Sequence, residues 1–158
     1  MTKKKDDKDI SKVLVVDDNQ QNLELLVAYL EEVDCQTLSA TSGEEAIYVT
    51  RDKSPDLILL DVMMPKMSGF EVCRRLKGDP NTENIPIIMV TALSELCDIE
   101  RAIDSCTDDF LSKPVNKWEL ITRVKTMLKL KGLSDKLERT LAYLSEIEKH
   151  TQTAGTSQ

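Results

Sequence analysis

Five polar residues stand at or just after the ends of short apolar runs, where their side chains could act together: Asp17, Asp18, Asp61, Thr91 and Lys113. Three carboxylates brought to one place repel each other, and a hard divalent cation relieves that repulsion. Mg²⁺ suits such a site because it takes one or two carboxylates, keeps waters and accepts phosphate oxygens. The set therefore predicts a Mg²⁺ site, with Mn²⁺ as the alternative ion and no organic cofactor.

The same residues suit phosphoryl transfer, which needs an in-line nucleophile and positive groups around the phosphoryl oxygens. Asp61 can be the nucleophile, since carboxylates form aspartyl-phosphates. The cation would take one phosphoryl oxygen, the Lys113 ammonium a second and the Thr91 hydroxyl a third. We therefore predict Asp61 as phosphoacceptor and further metal contact, with Asp17 and Asp18 as the metal's carboxylate anchors.

Each of these residues also has an ordinary interpretation when it is taken alone. An Asp-Asp pair after a strand commonly caps a helix. Thr91 could be a plain β-branched strand residue, and Lys113 a solvated side chain. Only their joint arrangement after four different apolar runs favours the chemical interpretation.

The elements that would position these residues alternate along the chain. Apolar, β-branched runs predict strands at 12–16, 36–40, 57–60, 86–90 and 109–111. Helical spacing or cap residues predict helices that begin near residues 20, 41, 70, 94 and 116. Five such units predict an α/β fold with a doubly wound, five-stranded parallel sheet. In such sheets the site lies at the carboxyl ends of the strands, near the topological switch point.

Composition limits the classes of function. The chain has 158 residues, 41% of them hydrophobic, and a net charge of −7, which argues against nucleic acid or anionic membrane as main partner. Four cysteines without CxxC spacing, and a single histidine, argue against a Cys/His metal site. Without an apolar run of membrane-spanning length or a signal peptide, we expect a cytoplasmic protein.

The last predicted helix is longer than the sheet requires. An apolar stripe continues at spacings of three and four through Leu130, Leu133, Leu137, Leu141, Leu144 and Ile147. We favour a coiled coil with a second copy, weakened by Thr140 and Gly132, over a helix folded back on the domain or a linker to an output domain. The expected organisation is a flexible leader at 1–10, a main domain at 11–130, a helical extension at 131–150 and a disordered tail at 151–158.

Several stretches together resemble the receiver domain of bacterial two-component response regulators: Val13–Asn19, Pro55–Pro65, Ser68–Cys73, Ile87–Ala92 and Asp108–Pro114. The resemblance implies the flavodoxin-like (βα)5 receiver fold. It also implies that Asp61 is the phosphoacceptor, that Asp17 and Asp18 are the acidic metal pair, and that the Met63 backbone carbonyl is a further metal ligand.

The resemblance further implies a switch. Thr91 matches the switch hydroxyl, Lys113 the family's lysine, and Phe110 the aromatic whose rotamer couples to Thr91. The readout face, for dimerisation or partner docking, would comprise the predicted helix 94–105, the strand at 109–111 and the last helix. The Lys113–Pro114 bond matches one that is usually cis.

The implied phosphoryl donor is a phosphohistidine on a sensor kinase or phosphotransfer protein. Met63 and Leu93 occupy the variable positions beside the phosphosite, and neither can position an attacking water, so we expect a long-lived phosphorylated state. Three other functions compete with this one. A phosphatase of this kind would carry a second Asp where Met63 stands. A degenerate receiver would lack part of the set of acidic residues, Thr91 and Lys113, which is complete here. A DNA-binding protein would need a recognition helix, and we predict none after the main domain. We therefore expect no turnover of a separate substrate.

Overall fold

The computed structural model describes residues 10–92 and 108–155, with side chains to residue 152. Its strands are β1 (Ser11–Val16), β2 (Cys35–Ala40), β3 (Leu57–Asp61), β4 (Ile87–Ala92) and β5 (Asp109–Lys113). Its helices are α1 (Gln20–Leu30), α2 (Gly43–Lys53), α3 (Gly69–Lys77) and the C-terminal helix (Lys117–Gly155). The helix predicted at 94–105, together with Leu93, lies outside the described residues.

The five strands form one parallel sheet in the order β2-β1-β3-β4-β5. The predicted fold is thereby confirmed: a doubly wound α/β sheet with a long last helix. The chain runs outward from β1 to β2 and then returns to place β3 on the other side of β1. The topological switch point therefore lies between β1 and β3, where such folds place their ligands.

Alternate residues of each strand point to opposite faces, and the two faces carry separate cores. On one face, Leu14, Ile58 and Ile87 pack with apolar residues of α2 and α3. On the other face, the strands pack with α1 and with the first turns of the C-terminal helix, including Leu120 and Val124. Because β3 is buried along its whole length, its last residue, Asp61, is held rigidly.

By contacts the chain divides into two compact units, residues 1–128 and residues 129–158. The C-terminal helix begins after its cap Asn116, whose side chain accepts from the Glu119 N–H. It continues to Gly155, past residue 151, where the disordered tail was expected to begin. Within the described residues, no helix is both long and apolar enough to span a membrane.

Candidate functional site

Three carboxylates converge beside the switch point. Asp61 ends β3 and is 4% exposed, while Asp17 follows β1 and is 1% exposed. Asp18 is exposed beside them, and one carboxylate oxygen from each of the three lies within 4.8 Å of the others. The predicted acidic cluster is therefore present, with one member open to solvent.

The helix-cap alternative for the Asp17–Asp18 pair does not describe this end of α1. The cap is Asn19, whose side-chain oxygen accepts from the backbone N–H groups of Gln21 and Asn22 at 3.0 and 3.1 Å. Asp17 instead uses Oδ1 to accept the Asn19 N–H at 2.9 Å, which orients its carboxylate. Since Asn19 caps the helix, the two aspartates are available for other chemistry.

Lys113 ends β5 and reaches two members of the acidic cluster. Its Nζ lies 3.1 Å from Asp61 Oδ1 and 3.5 Å from Asp17 Oδ2. Burial alone would lower the pKa of this ammonium, but the hydrogen bond with Asp61 and the charges of Asp61 and Asp17 outweigh burial and leave the pKa raised. Lys113 is therefore a fixed positive charge in the site, and it precedes a cis Lys113–Pro114 bond, as the resemblance implied.

One ammonium does not neutralise the acidic cluster. Burial, and then the charge of Asp17, raise the pKa of Asp61 to about 6, against the opposing effects of Lys113 and of a hydrogen bond from the Met63 backbone. The three carboxylates carry more negative charge than the single Lys113 ammonium offsets. Oxygen donors with uncompensated negative charge are the set that Mg²⁺ prefers, so the residues present fit that ion.

Thr91 lies at the same end of the sheet. The register pairs Val90 with Asp61 and Ala92 with Lys113, which places Thr91 between them on β4. Its side chain is buried, and the hydroxyl donates weakly to the Ala92 carbonyl at 3.4 Å. This long hydrogen bond is easily exchanged for a better acceptor.

Two further residues implied by the resemblance have different surroundings. The Met63 side chain is 71% exposed. Phe110, on β5, is half-buried against the core that α2 and α3 cover. A role for the Met63 carbonyl and a coupling of Phe110 to Thr91 stay predictions.

Gly69, which has no role predicted from the sequence, packs against the site. A Cβ built on Gly69 would lie 2.3 Å from the Asp61 carbonyl oxygen and 2.9 Å from Val62 Cα. The Gly69 N–H donates to the Val62 carbonyl at 2.9 Å, which fixes α3 against the end of β3. In the sequence, the Ser68-Gly69 pair could be recognised as the start of α3, because Ser68 is the N-cap of that helix. The contact between Gly69 and Asp61, in contrast, depends on the fold.

An apolar cavity of about 420 Å³ opens beside Asp17 and Lys113 and was not predicted. Its other lining residues are Asn22, Leu25, Leu26, Tyr29, Val90, Pro114 and Val115. Leu25, on α1, is 47% exposed and lines this cavity. The site therefore has an acidic centre with an apolar surface next to it.

The raised pKa of Asp61 predicts a pH-dependent stability difference between wild type and Asp61→Asn without metal. A carboxyl group with a raised folded pKa contributes stability that is fully present below its unfolded pKa, near 3.8, and is lost as pH rises through about 6. The variant's stability advantage should therefore be small near pH 3.5 and reach about 3 kcal/mol above pH 7. Urea unfolding of both proteins in a chelator measures it.

Added Mg²⁺ should reduce that advantage at pH 7.5, because an ion bound by the folded state stabilises the wild-type cluster. A difference that is independent of pH, or an advantage that shrinks as pH rises, would contradict the electrostatic description of the cluster.

Comparison with known proteins gives a consistent result. The model of the response regulator receiver domain family matches residues 13–125. Response regulator PleD of Caulobacter vibrioides is 40% identical over 129 residues, which cover 82% of this chain and 28% of PleD. The phosphate regulon transcriptional regulatory protein PhoB of Pseudomonas aeruginosa is 40% identical over 123 residues, covering 78% of this chain and 54% of PhoB. The chain thus spans about a quarter to a half of these curated relatives.

Solved structures of response regulators and receiver domains are also similar to this chain. A putative response regulator from Chloroflexus aurantiacus superposes with a TM-score of 0.73 at 32% identity, covering 76% of this chain and 98% of that one. The signal receiver domain of a histidine kinase from Syntrophus aciditrophicus gives a TM-score of 0.72 at 39% identity, covering 75% of this chain and 90% of that one.

Proposed function

This chain belongs to the response regulator receiver domain family of two-component systems, and from that premise we propose that it accepts a phosphoryl group on Asp61. The observation that carries the proposal is the convergence of three carboxylates and one lysine at the switch point of the sheet. In the step, the phosphorus–nitrogen bond of a donor phosphohistidine breaks, its electron pair stays on the imidazole, and an Asp61 oxygen forms the new bond to phosphorus.

Asp17, Asp18, Asp61 and the Met63 carbonyl would hold Mg²⁺, which when bound supplies positive charge to a phosphoryl oxygen. Lys113 supplies a second positive charge, already held 3.1 Å from the nucleophilic carboxylate. Asp61 must be ionised to attack, and with a pKa of about 6 it is mostly ionised at pH 7. The chain's own task is to hold these groups in place and charged before the donor arrives.

Phosphorylation would act on the rest of the domain through Thr91 and Phe110. The Thr91 hydroxyl can exchange its 3.4 Å hydrogen bond for a phosphoryl oxygen, and Phe110 can then move toward the space that Thr91 leaves. The Asp109 carboxylate accepts from Arg123 at 2.6 Å, so β5 and the C-terminal helix are joined by an ion pair. Together with the predicted helix 94–105, outside the described residues, they would form the readout face.

The chain itself would act through protein contacts and not by turnover of a separate substrate. Met63 stands two residues after Asp61, where a phosphatase of this kind would need an acid/base. PhoB is named a transcriptional regulatory protein, and this chain spans 54% of its length. The net charge of −7 also argues against direct contact between this chain and nucleic acid.

The direct test is to incubate the protein with Mg²⁺ and acetyl phosphate and to map the modified residue by mass spectrometry after borohydride trapping. We expect modification at Asp61 that requires the metal. Modification of another carboxylate, or incorporation that a chelator does not affect, would overturn the assignment.

The cavity beside the site is suited to docking the phosphoryl donor. It is mostly apolar, it opens next to Asp17 and Lys113, and it exposes Leu25 on α1. A donor protein must bring its histidine within bonding distance of Asp61, so it must cover surface adjoining the site. We therefore propose that an apolar helix face of the donor packs on Leu25 and Tyr29.

Leu25→Asp should therefore lower the rate of transfer from a phosphorylated sensor-kinase domain by roughly 10-fold or more, as expected for the loss of a central apolar contact. Phosphorylation by acetyl phosphate, which needs no docking surface, should be unchanged. Tyr48→Asp is the matched control, because Tyr48 is exposed on α2 and does not line the cavity. If Leu25→Asp lowers the rate of phosphorylation by both donors equally, the residue affects the phosphorylation site itself and the docking proposal is wrong.

A further inference from the structure

The described part of the second unit is a helix with an apolar face, and it has no buried core of its own. Between residues 129 and 152 no side chain is buried. Six aliphatic side chains there are exposed by 43–59%: Leu130, Leu133, Leu137, Leu141, Leu144 and Ile147. Such a face is stable in water only if something covers it.

Five of the six residues fit a heptad repeat in which Leu130, Leu137 and Leu144 occupy a positions. The corresponding d positions are Leu133, Thr140 and Ile147, so Thr140 is the single polar residue in the seam. Its hydroxyl donates to the Lys136 carbonyl at 2.9 Å, which satisfies it within its own helix. Leu141 falls at the adjoining e position and widens the apolar face.

We propose that this seam, Leu130–Ile147, pairs with the same seam of a second copy in a parallel two-stranded coiled coil. A parallel arrangement in register places each seam residue against its own counterpart. The two Thr140 residues then share one layer, whereas an antiparallel arrangement would set each Thr140 against a leucine. The inference does not depend on phosphoryl transfer to Asp61.

The charges beside the seam are compatible with a second copy. In the parallel register, Lys129 faces Ser134, Lys136 faces Leu141, and Tyr143 faces Glu148 of the second copy, so no like charges oppose each other at these positions. The Lys136 stem can cover Leu141, and the Tyr143 hydroxyl can donate to Glu148.

On the outer face of the same helix, Lys131 pairs with Asp135 at 2.8 Å within one helix. This pair lies on the side of the helix away from the seam, so it does not compete with the proposed second copy.

The apolar area sets the strength of the dimer. Six half-exposed aliphatic side chains offer on the order of 500 Å² per copy, so two copies would bury about 1,000 Å², the lower end for a specific interface. Thr140 in the seam and Gly132 within the helix weaken the pairing further. We therefore expect a reversible dimer with a dissociation constant of about 10–100 µM.

Sedimentation equilibrium of the full chain from about 1 to 500 µM tests the proposal. Leu137→Lys, in the middle of the seam, should raise the dissociation constant at least ~30-fold, and Thr140→Leu should lower it about 10-fold. Ser145→Lys adds the same charge at an exposed position off the seam and should change the constant by less than about 2-fold.

Asp61→Asn should dimerise as the wild type does, so loss of phosphorylation and loss of dimerisation are distinguishable. The proposal is overturned by a monomer at every concentration, or by equal effects of Leu137→Lys and Ser145→Lys. It is also overturned by a trimer or tetramer, or by hydrogen exchange showing residues 130–147 protected in a monomer, which would mean that the chain covers its own stripe.

Discussion

Asp61→Asn should lower the stable incorporation of phosphate from acetyl phosphate at least about 1,000-fold relative to wild type. The amide oxygen of Asn is a poor nucleophile and cannot form an acyl phosphate, while its shape leaves the buried end of β3 unchanged. The variant should fold, and without metal it should be more stable than wild type, because burial and Asp17 disfavour the charge that it removes. Gel-shift or mass measurement with Mg²⁺ and a phosphoryl donor checks the first result.

Lys113→Met provides the graded comparison. It keeps the nucleophile and removes the ammonium that lies 3.1 Å from Asp61 and 3.5 Å from Asp17. We expect a 100- to 1,000-fold slower reaction, about the cost of losing one group that stabilises developing charge. Retained phosphorylation in Asp61→Asn, or a larger defect in Lys113→Met than in Asp61→Asn, would contradict the assigned roles.

Repulsion between the Asp17 and Asp61 carboxylates explains why the site lies at the end of a well-packed sheet. Asp61 and Asp17 are almost fully buried, and their mutual repulsion would separate them if β1 and β3 could move. The two strands are paired from Val13 with Leu57 to Val16 with Leu60, and both are buried on both faces. The rigid sheet therefore holds the carboxylates together against their repulsion, in the arrangement that the proposed cation and phosphoryl group would need.

The sequence predicted the sheet well because its strands are unusually distinct. Buried parallel strands appear as continuous apolar runs, and each predicted strand overlaps an observed one with ends that differ by at most two residues. The positions of Asp17, Asp61 and Lys113 followed, because a parallel sheet brings the ends of its strands to one edge. Local pattern and topology therefore predicted most of the candidate site.

Features that depend on three-dimensional proximity were not predictable in the same way. Asn19, Asp18 and Asp17 are all good cap residues by type, and only the hydrogen bonds show that Asn19 is the cap. The cavity next to Leu25 arises where α1 meets the segment after β5, nearly 90 residues later in the chain. The helix also continues through Thr151–Gly155, residues whose composition favours disorder.

Among alanine substitutions at Gly43, Gly69 and Gly132, Gly69→Ala should be the most destabilising, at about 3 kcal/mol or more. The new Cβ would lie 2.3 Å from the Asp61 carbonyl oxygen, and backbone atoms cannot rotate away as side chains can. Relief requires α3 to separate from the end of β3, which also displaces Asp61. We therefore expect a lower urea midpoint together with slower phosphorylation of the fraction that remains folded.

The two other glycines make matched controls, since they undergo the same substitution in different surroundings. At Gly43 the Cβ would meet only side chains, Val72 at 2.9 Å and Met67 at 3.0 Å, so we expect a loss of about 1–2 kcal/mol. At Gly132 nothing lies within 4 Å, and alanine should raise helicity and add roughly 0.5–1 kcal/mol to helix stability. Urea unfolding and circular dichroism measure the order of effects. Equal effects at Gly69 and Gly43 would mean that the contact with the Asp61 backbone does not set the requirement for glycine.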